Sequence, residues 1–197
     1  MKVLRKASIN RKTSETNISL SLNIDGSGKY RVKTPIPFFN HMLEAFAKHG
    51  MFDLTLTAAG DVEVDDHHLV EDVGLCLGSA FKKALKDKKG IRRYGHFTLP
   101  MDEVLTTVAV DFCNRPCMVY EPKIKSGRIK NFDVQLVHEF FQAFVNEAAV
   151  NLHVHVLQSG NKHHVVESIF KSFARAVDMA TSIDSRANGI PSTKGKL

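Results

Sequence analysis

His67-His68-Leu69-Val70-Glu71 and His163-His164-Val165-Val166-Glu167 are one pattern written twice in a single chain: paired histidines, two apolar residues and a carboxylate. Imidazole together with carboxylate is the donor set that holds a borderline or hard divalent metal. The repetition predicts a duplicated chain in which each half carries metal ligands.

A true duplication must also align the residues outside its most obvious motif. His41 to Ala47 (HMLEAFA) falls on Glu139 to Val145 (EFFQAFV) at one constant offset, and the same offset places Asp53-Leu54-Thr55-Leu56 on Asn151-Leu152-His153-Val154. Turn-forming residues follow, Ala59-Gly60-Asp61 in one copy and Ser159-Gly160-Asn161 in the other, before each histidine pair. The second connection is two residues shorter, a change that a surface turn tolerates. Val73 to Leu85 and Val166 to Ala180 then show apolar residues at helical spacing. Each half therefore reads as helix, strand, turn, helix, preceded by strand-like sequence. His41 and Glu139 hold matching places, so each half offers one donor from its first helix and three from its second. Eight donors in two equivalent sets predict two ions. Residues three or four apart share a helix face, whereas neighbours diverge by roughly 100°. Glu71 can converge with His67 or His68, but the two histidines must point to different places, and one is expected to serve an ion completed by another subunit.

Composition narrows the class. With 197 residues, 43% of them hydrophobic, the chain can bury one sizeable core. It is expected to form one domain of residues 1–197, with a first half of about 1–95, a second of about 96–184 and a tail at 185–197 that is rich in Gly, Ser, Lys and Pro. No apolar run approaches a membrane span, and Met1 to Lys6 lacks the apolar core of a signal peptide. Cys76, Cys113 and Cys117 form no even disulfide framework, so a cytoplasmic location is expected. The formal charge of +6 comes without the interleaved aromatics or helix-turn-helix pattern of a nucleic-acid binder, and small anions are the better fit.

Alternation at Ile18 to Ile24, a turn at Asp25-Gly26-Ser27-Gly28 and a second run at Tyr30 to Lys33 predict strands ahead of the first helix. Phe97 to Pro100, Leu105 to Phe112 and Met118 to Tyr120 predict further strands, and Lys125 to Arg128 a loop. His49, His96, His153 and His155 read as ordinary hydrogen-bonded core histidines.

Several strings now bear on a family. Phe39-Asn40-His41-Met42-Leu43, Asp65-Asp66-His67-His68 with Glu71-Asp72, Arg92-Arg93-Tyr94-Gly95, Pro100-Met101-Asp102-Glu103, Asn161 to His164 with Glu167, and Phe170-Lys171 occur in this order. Together they resemble the signature blocks of the imidazoleglycerol-phosphate dehydratases, from about Arg11 to Gly195. The resemblance implies an α+β fold of the ribosomal protein S5 domain 2-like kind, internally duplicated, each half a small sheet packed on helices. It implies the dehydration of imidazole glycerol phosphate to imidazole acetol phosphate in histidine biosynthesis, two Mn2+ ions per active site, and a homo-oligomer of 24 subunits with metal sites at subunit contacts.

Carried over residue by residue, the resemblance assigns metal ligation to His41, His67, His68, Glu71, Glu139, His163, His164 and Glu167. His138, one place before Glu139, is the alternative that would break the repeat. Substrate contacts fall to Glu15, His41, His67, Arg93, Arg115, His163 and Lys171, with Ser192, Thr193 and Lys194 from the tail. A dianionic phosphate asks for forked and point-charge donors together. Catalytic roles fall to Glu15, Glu71, Glu167 and Lys171. Two positions depart from the family pattern: Ala45 where many members carry Gln, and Asn114 where Gly is common. In the chemistry expected, the metal-held imidazole ring acts as electron sink, expelling the C3 hydroxyl before the C2 proton is lost to Glu15.

Overall fold

The computed structural model describes residues 5–124, 126–187 and 189–197. The first half runs β1 (Lys6–Lys12), β2 (Thr16–Asn23), β3 (Tyr30–Lys33), α1 (Pro37–His49), β4 (Asp53–Gly60) and α2 (His67–Leu85). The second runs β5 (Tyr94–Met101), β6 (Val104–Asp111), β7 (Cys117–Glu121), the short pair β8 (Arg128–Ile129) and β9 (Phe132–Asp133), α3 (Leu136–Ala148), β10 (Asn151–Gln158) and α4 (Lys162–Thr181). The sheets have the orders β1-β2-β4-β3 and β5-β6-β10-β7. In each, two antiparallel pairings are followed by one parallel pairing, β3 with β4 and β7 with β10. A parallel pair needs a crossover, and α1 and α3 supply it. Apart from the β8–β9 pair, which has no counterpart in the first half, the halves match element for element.

The helices lie between the sheets. α2 packs on β1 and β2 while α4 packs on β5 and β6, and across the middle α1 meets α4 and α2 meets α3. Leu69, Val70, Val73, Leu77 and Phe81 of α2 recur as Val165, Val166, Ile169, Phe173 and Val177 of α4, all fully buried. Phe46 of α1 stacks on Phe173 with ring centroids 5.3 Å apart, and Phe81 of α2 meets Phe144 of α3 edge-on at 5.8 Å. Each such buried phenylalanine contributes about 1.5–3 kcal/mol relative to an exposed one. The pairings join the halves into one core.

The structure alters several sequence expectations. β1 went unread because its apolar positions are few and the strand is an edge, where charged side chains face water. The β8–β9 hairpin also went unread, since two-residue strands leave too little alternation to detect. Lys125, in the predicted loop, lies outside the described residues, as do Met1 to Leu4 and Asn188. The four histidines read as core are not in it. His96 and His153 are exposed, His49 and His155 half-buried, and His155 meets Glu121 at 3.0 Å. On β5 and β10 they occupy the positions that alternate away from α3 and α4, so the pleat turns them outward. All three cysteines are free.

Candidate metal centre

Both histidine pairs open a helix, and local turns place them there. Asn161 caps α4 by accepting from the His163 amide at 2.9 Å, while Asp65 accepts from the His67 amide at 2.8 Å at the start of α2. Pro37 begins α1, where its missing donor costs nothing, and the Asn40 side chain bonds both backbone groups of Thr34. His41 therefore leaves a well-anchored first turn.

One ligand set is assembled by α1 and α4. Glu167 Oε2 lies 3.1 Å from His163 Nε2 and 3.7 Å from His41 Nε2, while its Oε1 accepts from Lys171 Nζ at 2.7 Å. His163, Glu167 and Lys171 are successive steps of four along one helix face. Burial pushes the Glu167 carboxyl up, but Lys171, His41 and His163 outweigh it and hold the group below its ordinary value. His41 is half exposed, which leaves the set open on one side. Donor atoms from His41, His163 and Glu167 lie within 4.8 Å of one another, a spacing that one divalent ion can draw together. Two imidazoles and an ionised carboxylate suit a borderline divalent transition ion.

The matching set from α2 and α3 is looser. His67 Nε2 stands 3.8 Å from Glu71 Oε2, and Glu139 Oε1 takes a contact from His138 Nδ1 at 3.1 Å. His67 and Glu139 line one cavity of about 880 Å³, together with Asp65, Asp66, Arg128 and Phe132. His138 turns toward Tyr120 instead, ring centroids 5.6 Å apart.

The second histidine of each pair faces elsewhere. Rings of His67 and His68 lie at 82° to each other, and those of His163 and His164 at 78°. His68 Nδ1 meets Asp61 at 3.0 Å, which raises the imidazole pKa. His164 Nδ1 meets Glu103 at 3.0 Å with Asp102 beside it at 3.7 Å from Nε2, and Glu103 raises that imidazole likewise. Glu103 also accepts from the Asn161 amide at 2.6 Å, and the two partners hold its pKa down at about 2. Asp102, Glu103 and His164 form the second group of three close donors among the described residues. A carboxylate on Nδ1 fixes the tautomer and frees Nε2 to bind outward. Asp61, Asp102 and Glu103 carried no assigned role in the sequence. The signal was there for one of them, because Glu103 and Glu15 each immediately precede the second strand of their half. Glu15 is exposed on the β1–β2 turn, and its charge acts on His68.

The proposed phosphate residues gather at the other end of the molecule. Arg93 bonds both oxygens of Asp111, at 2.7 and 3.1 Å, and donates to the Pro191 carbonyl at 2.9 Å, which ties the tail beside it. Ser192 Oγ accepts from the Lys194 amide, and Thr193 and Lys194 are exposed. Arg115 is exposed on the turn after β6. The Arg93 amide bonds the Ala180 carbonyl, near the end of α4, whereas His163 opens that helix. At 1.5 Å per residue this separates the two by about 26 Å. Within one chain, then, the residues expected to hold metal and those expected to hold phosphate do not meet.

A family model described as imidazoleglycerol-phosphate dehydratase matches residues 34–177. The imidazoleglycerol-phosphate dehydratase of Geobacter sulfurreducens is 56% identical over 193 residues, covering 98% of this chain and 99% of its own length. That of Halalkalibacterium halodurans is 54% identical over 194 residues, covering 98% and 100%. Two solved structures are also similar. The imidazoleglycerol-phosphate dehydratase of Staphylococcus aureus superposes with a TM-score of 0.82 at 35% identity, over 91% of this chain and 99% of that one. The Pyrococcus furiosus protein, in complex with (S)-C348, gives 0.83 at 33% identity, over 96% and 100%.

Proposed function

We propose a two-manganese dehydration at sites shared between subunits, from the premise that this chain belongs to the imidazoleglycerol-phosphate dehydratases, hydro-lyases of histidine biosynthesis. The observation that carries the shared-site reading is the distance of about 26 Å along α4 between His163 and the Arg93 end. A substrate built of one imidazole, three carbons and a phosphate cannot span it. Metal donors of one subunit must therefore face the phosphate donors of another, and a closed homo-oligomer, of 24 subunits by family resemblance, is the economical way to satisfy every copy. The single dehydratase domain, with no helix among its described residues long and apolar enough to cross a membrane, would work in the cytoplasm.

His41, His163 and Glu167 would hold one ion and His67, Glu71 and Glu139 the other, with His68 and His164, turned outward, completing sites on neighbouring subunits. Bound manganese would orient the imidazole and stabilise it as an anionic ring. The chain's own residues do the rest. Arg93, Arg115, Ser192, Thr193 and Lys194 grip the phosphate, and Lys171 keeps Glu167 ionised beside the ring. The C3 hydroxyl departs as water with the proton that the ring gives up on becoming anionic, the C2 proton passes to Glu15 and from there back to the ring, and the resulting enol tautomerises to the ketone.

A coupled assay for imidazole acetol phosphate, with manganese added, chelated and restored, tests this. Activity is expected to vanish on chelation and return with Mn2+, and Glu15→Gln is expected to lower kcat more than about a hundredfold. Metal uptake without ketone formation would leave a storage protein, and phosphate release would leave a hydrolase. Wild-type turnover by Glu15→Gln at saturating substrate would remove Glu15 as the proton carrier.

A further inference from the structure

Lys88 is only 2% exposed, a rare place for a lysine, and nothing in the dehydration scheme uses it. It sits in the bend between α2 and β5, where Lys86, Lys88 and Gly90 all have left-handed backbone, with φ of 51°, 60° and 70°. Two non-glycine residues in that region are strained and persist only where the surroundings over-determine them. The bend turns the Lys88 side chain inward. Its Nζ passes over the Phe112 ring, 5.9 Å from the centroid, and donates to Asn114 Oδ1 at 2.5 Å. Burial pulls its pKa down to about 8, so near neutrality the buried ammonium still carries its charge.

Asn114 is itself left-handed, at φ 61°, and directly precedes Arg115. The guanidinium of Arg115 has little to hold it, a 3.4 Å contact from Nη1 to the Cys113 carbonyl. What is held is the turn beneath it. The Asn151 side chain donates to the Arg115 carbonyl at 2.6 Å, the Cys113 amide bonds the Asp111 carbonyl at 3.0 Å, and Lys88 fixes Asn114. Asp111, at the root of the same turn, is the partner of Arg93.

We propose that Lys88 is a positioning residue for phosphate binding: through Asn114 it fixes the β6–β7 turn, and so places Arg115 beside the Arg93–Asp111 pair. This rests on the phosphate-clamp reading above.

The test is a double-mutant cycle on the assembled, metal-loaded enzyme, measuring kcat, KM and competitive inhibition by inorganic phosphate. Lys88→Met and Asn114→Gly are each expected to raise KM and the phosphate inhibition constant about tenfold while kcat stays within twofold. The double variant should be no worse than either single one, because coupled residues are not additive. Asn114→Asp keeps an acceptor and should stay within threefold of wild type. Four results would overturn the proposal: an unchanged KM with only a lowered Tm, multiplied effects in the double variant, a fall in kcat at constant KM, or no rescue by Asn114→Asp. Should the wild-type protein dehydrate nothing, the dehydratase reading fails by itself, and calorimetric titration with inorganic phosphate still reads the Lys88–Asn114 coupling.

Discussion

Glu167 and Glu71 stand at the same place in two copies of one motif, yet the molecule treats them differently. Glu167 is buried and bound by Lys171, His163 and His41, whereas Glu71 is half exposed with His67 at 3.8 Å. The residue matching Lys171 in the first half is Leu75. The helix pairings differ as well. Gly74 and Gly78 bring α2 so close to α3 that an added Cβ would lie 2.5 Å from the Phe140 carbonyl and 2.8 Å from that of Phe144. At the matching places α4 carries Ala174 and Phe170, whose ring packs on Phe140 and Phe141 of α3, and it meets α1 through Phe173 on Phe46. Duplication kept the donors, while packing and charge diverged around them. One carboxylate is already held by three partners, while the other stands half exposed beside His67.

The sharpest way to break this comparison is to neutralise each carboxylate in turn. Glu167→Gln and Glu71→Gln are each expected to lower kcat/KM more than about a hundredfold, since second-sphere losses alone reach that range. Only Glu167→Gln should also lower Tm, because it strands a partly buried lysine, and only it disturbs a set formed in advance. Equal Tm changes, with metal content read by elemental analysis after desalting, would show that the asymmetry carries no energy. The junction between the halves supplies the next effect. Folded Lys88 releases its proton near pH 8 and the unfolded chain near 10.5, so between these values the unfolded state binds more protons and stability rises with pH. The climb amounts to about 3 kcal/mol at most. Lys88→Met should flatten this rise in denaturant titrations from pH 7.5 to 10, and an unchanged slope would mean that another group titrates there.

Exchange of small residues probes the helix pairs. Gly78→Ala should destabilise by about 1–3 kcal/mol through overpacking, although its counterpart Ala174 already is alanine. Ala174→Gly should cost about 1 kcal/mol through backbone freedom. Thermal melts reading a gain for Gly78→Ala would mean that the α2–α3 approach relaxes freely.

The duplication was legible because apolar spacing and donor spacing repeat together, so helix faces and ligand faces could be read from the same residues. Helix geometry also foretold that His67 and His68 diverge, as their separate partners, Glu71 and Asp61, show. What pairs with the outward histidines was not legible. Asp61 and Glu103 reach them from turns, across 7 and 61 residues, and no periodicity encodes such meetings. Nor could spacing reveal that Arg93 sits at the far end of α4 from His163, a fact fixed by one backbone bond to Ala180. Outward histidines such as His153 stand between the buried apolar residues of an alternating strand, so the pleat that buries Leu152 and Val154 turns them to solvent.

The smallest effect asks whether Lys171 alone makes the difference between the two carboxylates. Glu167 is held below its ordinary value in the folded chain, so its contribution is present above the unfolded carboxylate value of 4.5 and is lost as pH falls below it. Lys171→Met should lower the stability of the metal-free protein by about 1 kcal/mol at pH 7, and the deficit should shrink toward pH 4. Leu75→Lys places a cation four residues after Glu71 on a partly exposed face, where such pairs add about 0.3–0.5 kcal/mol. If it instead matched the loss seen at Lys171, the lysine would suffice to tighten the second set and burial would count for little. The far smaller gain expected here assigns the difference to burial, which makes one lysine strong and would leave its copy weak.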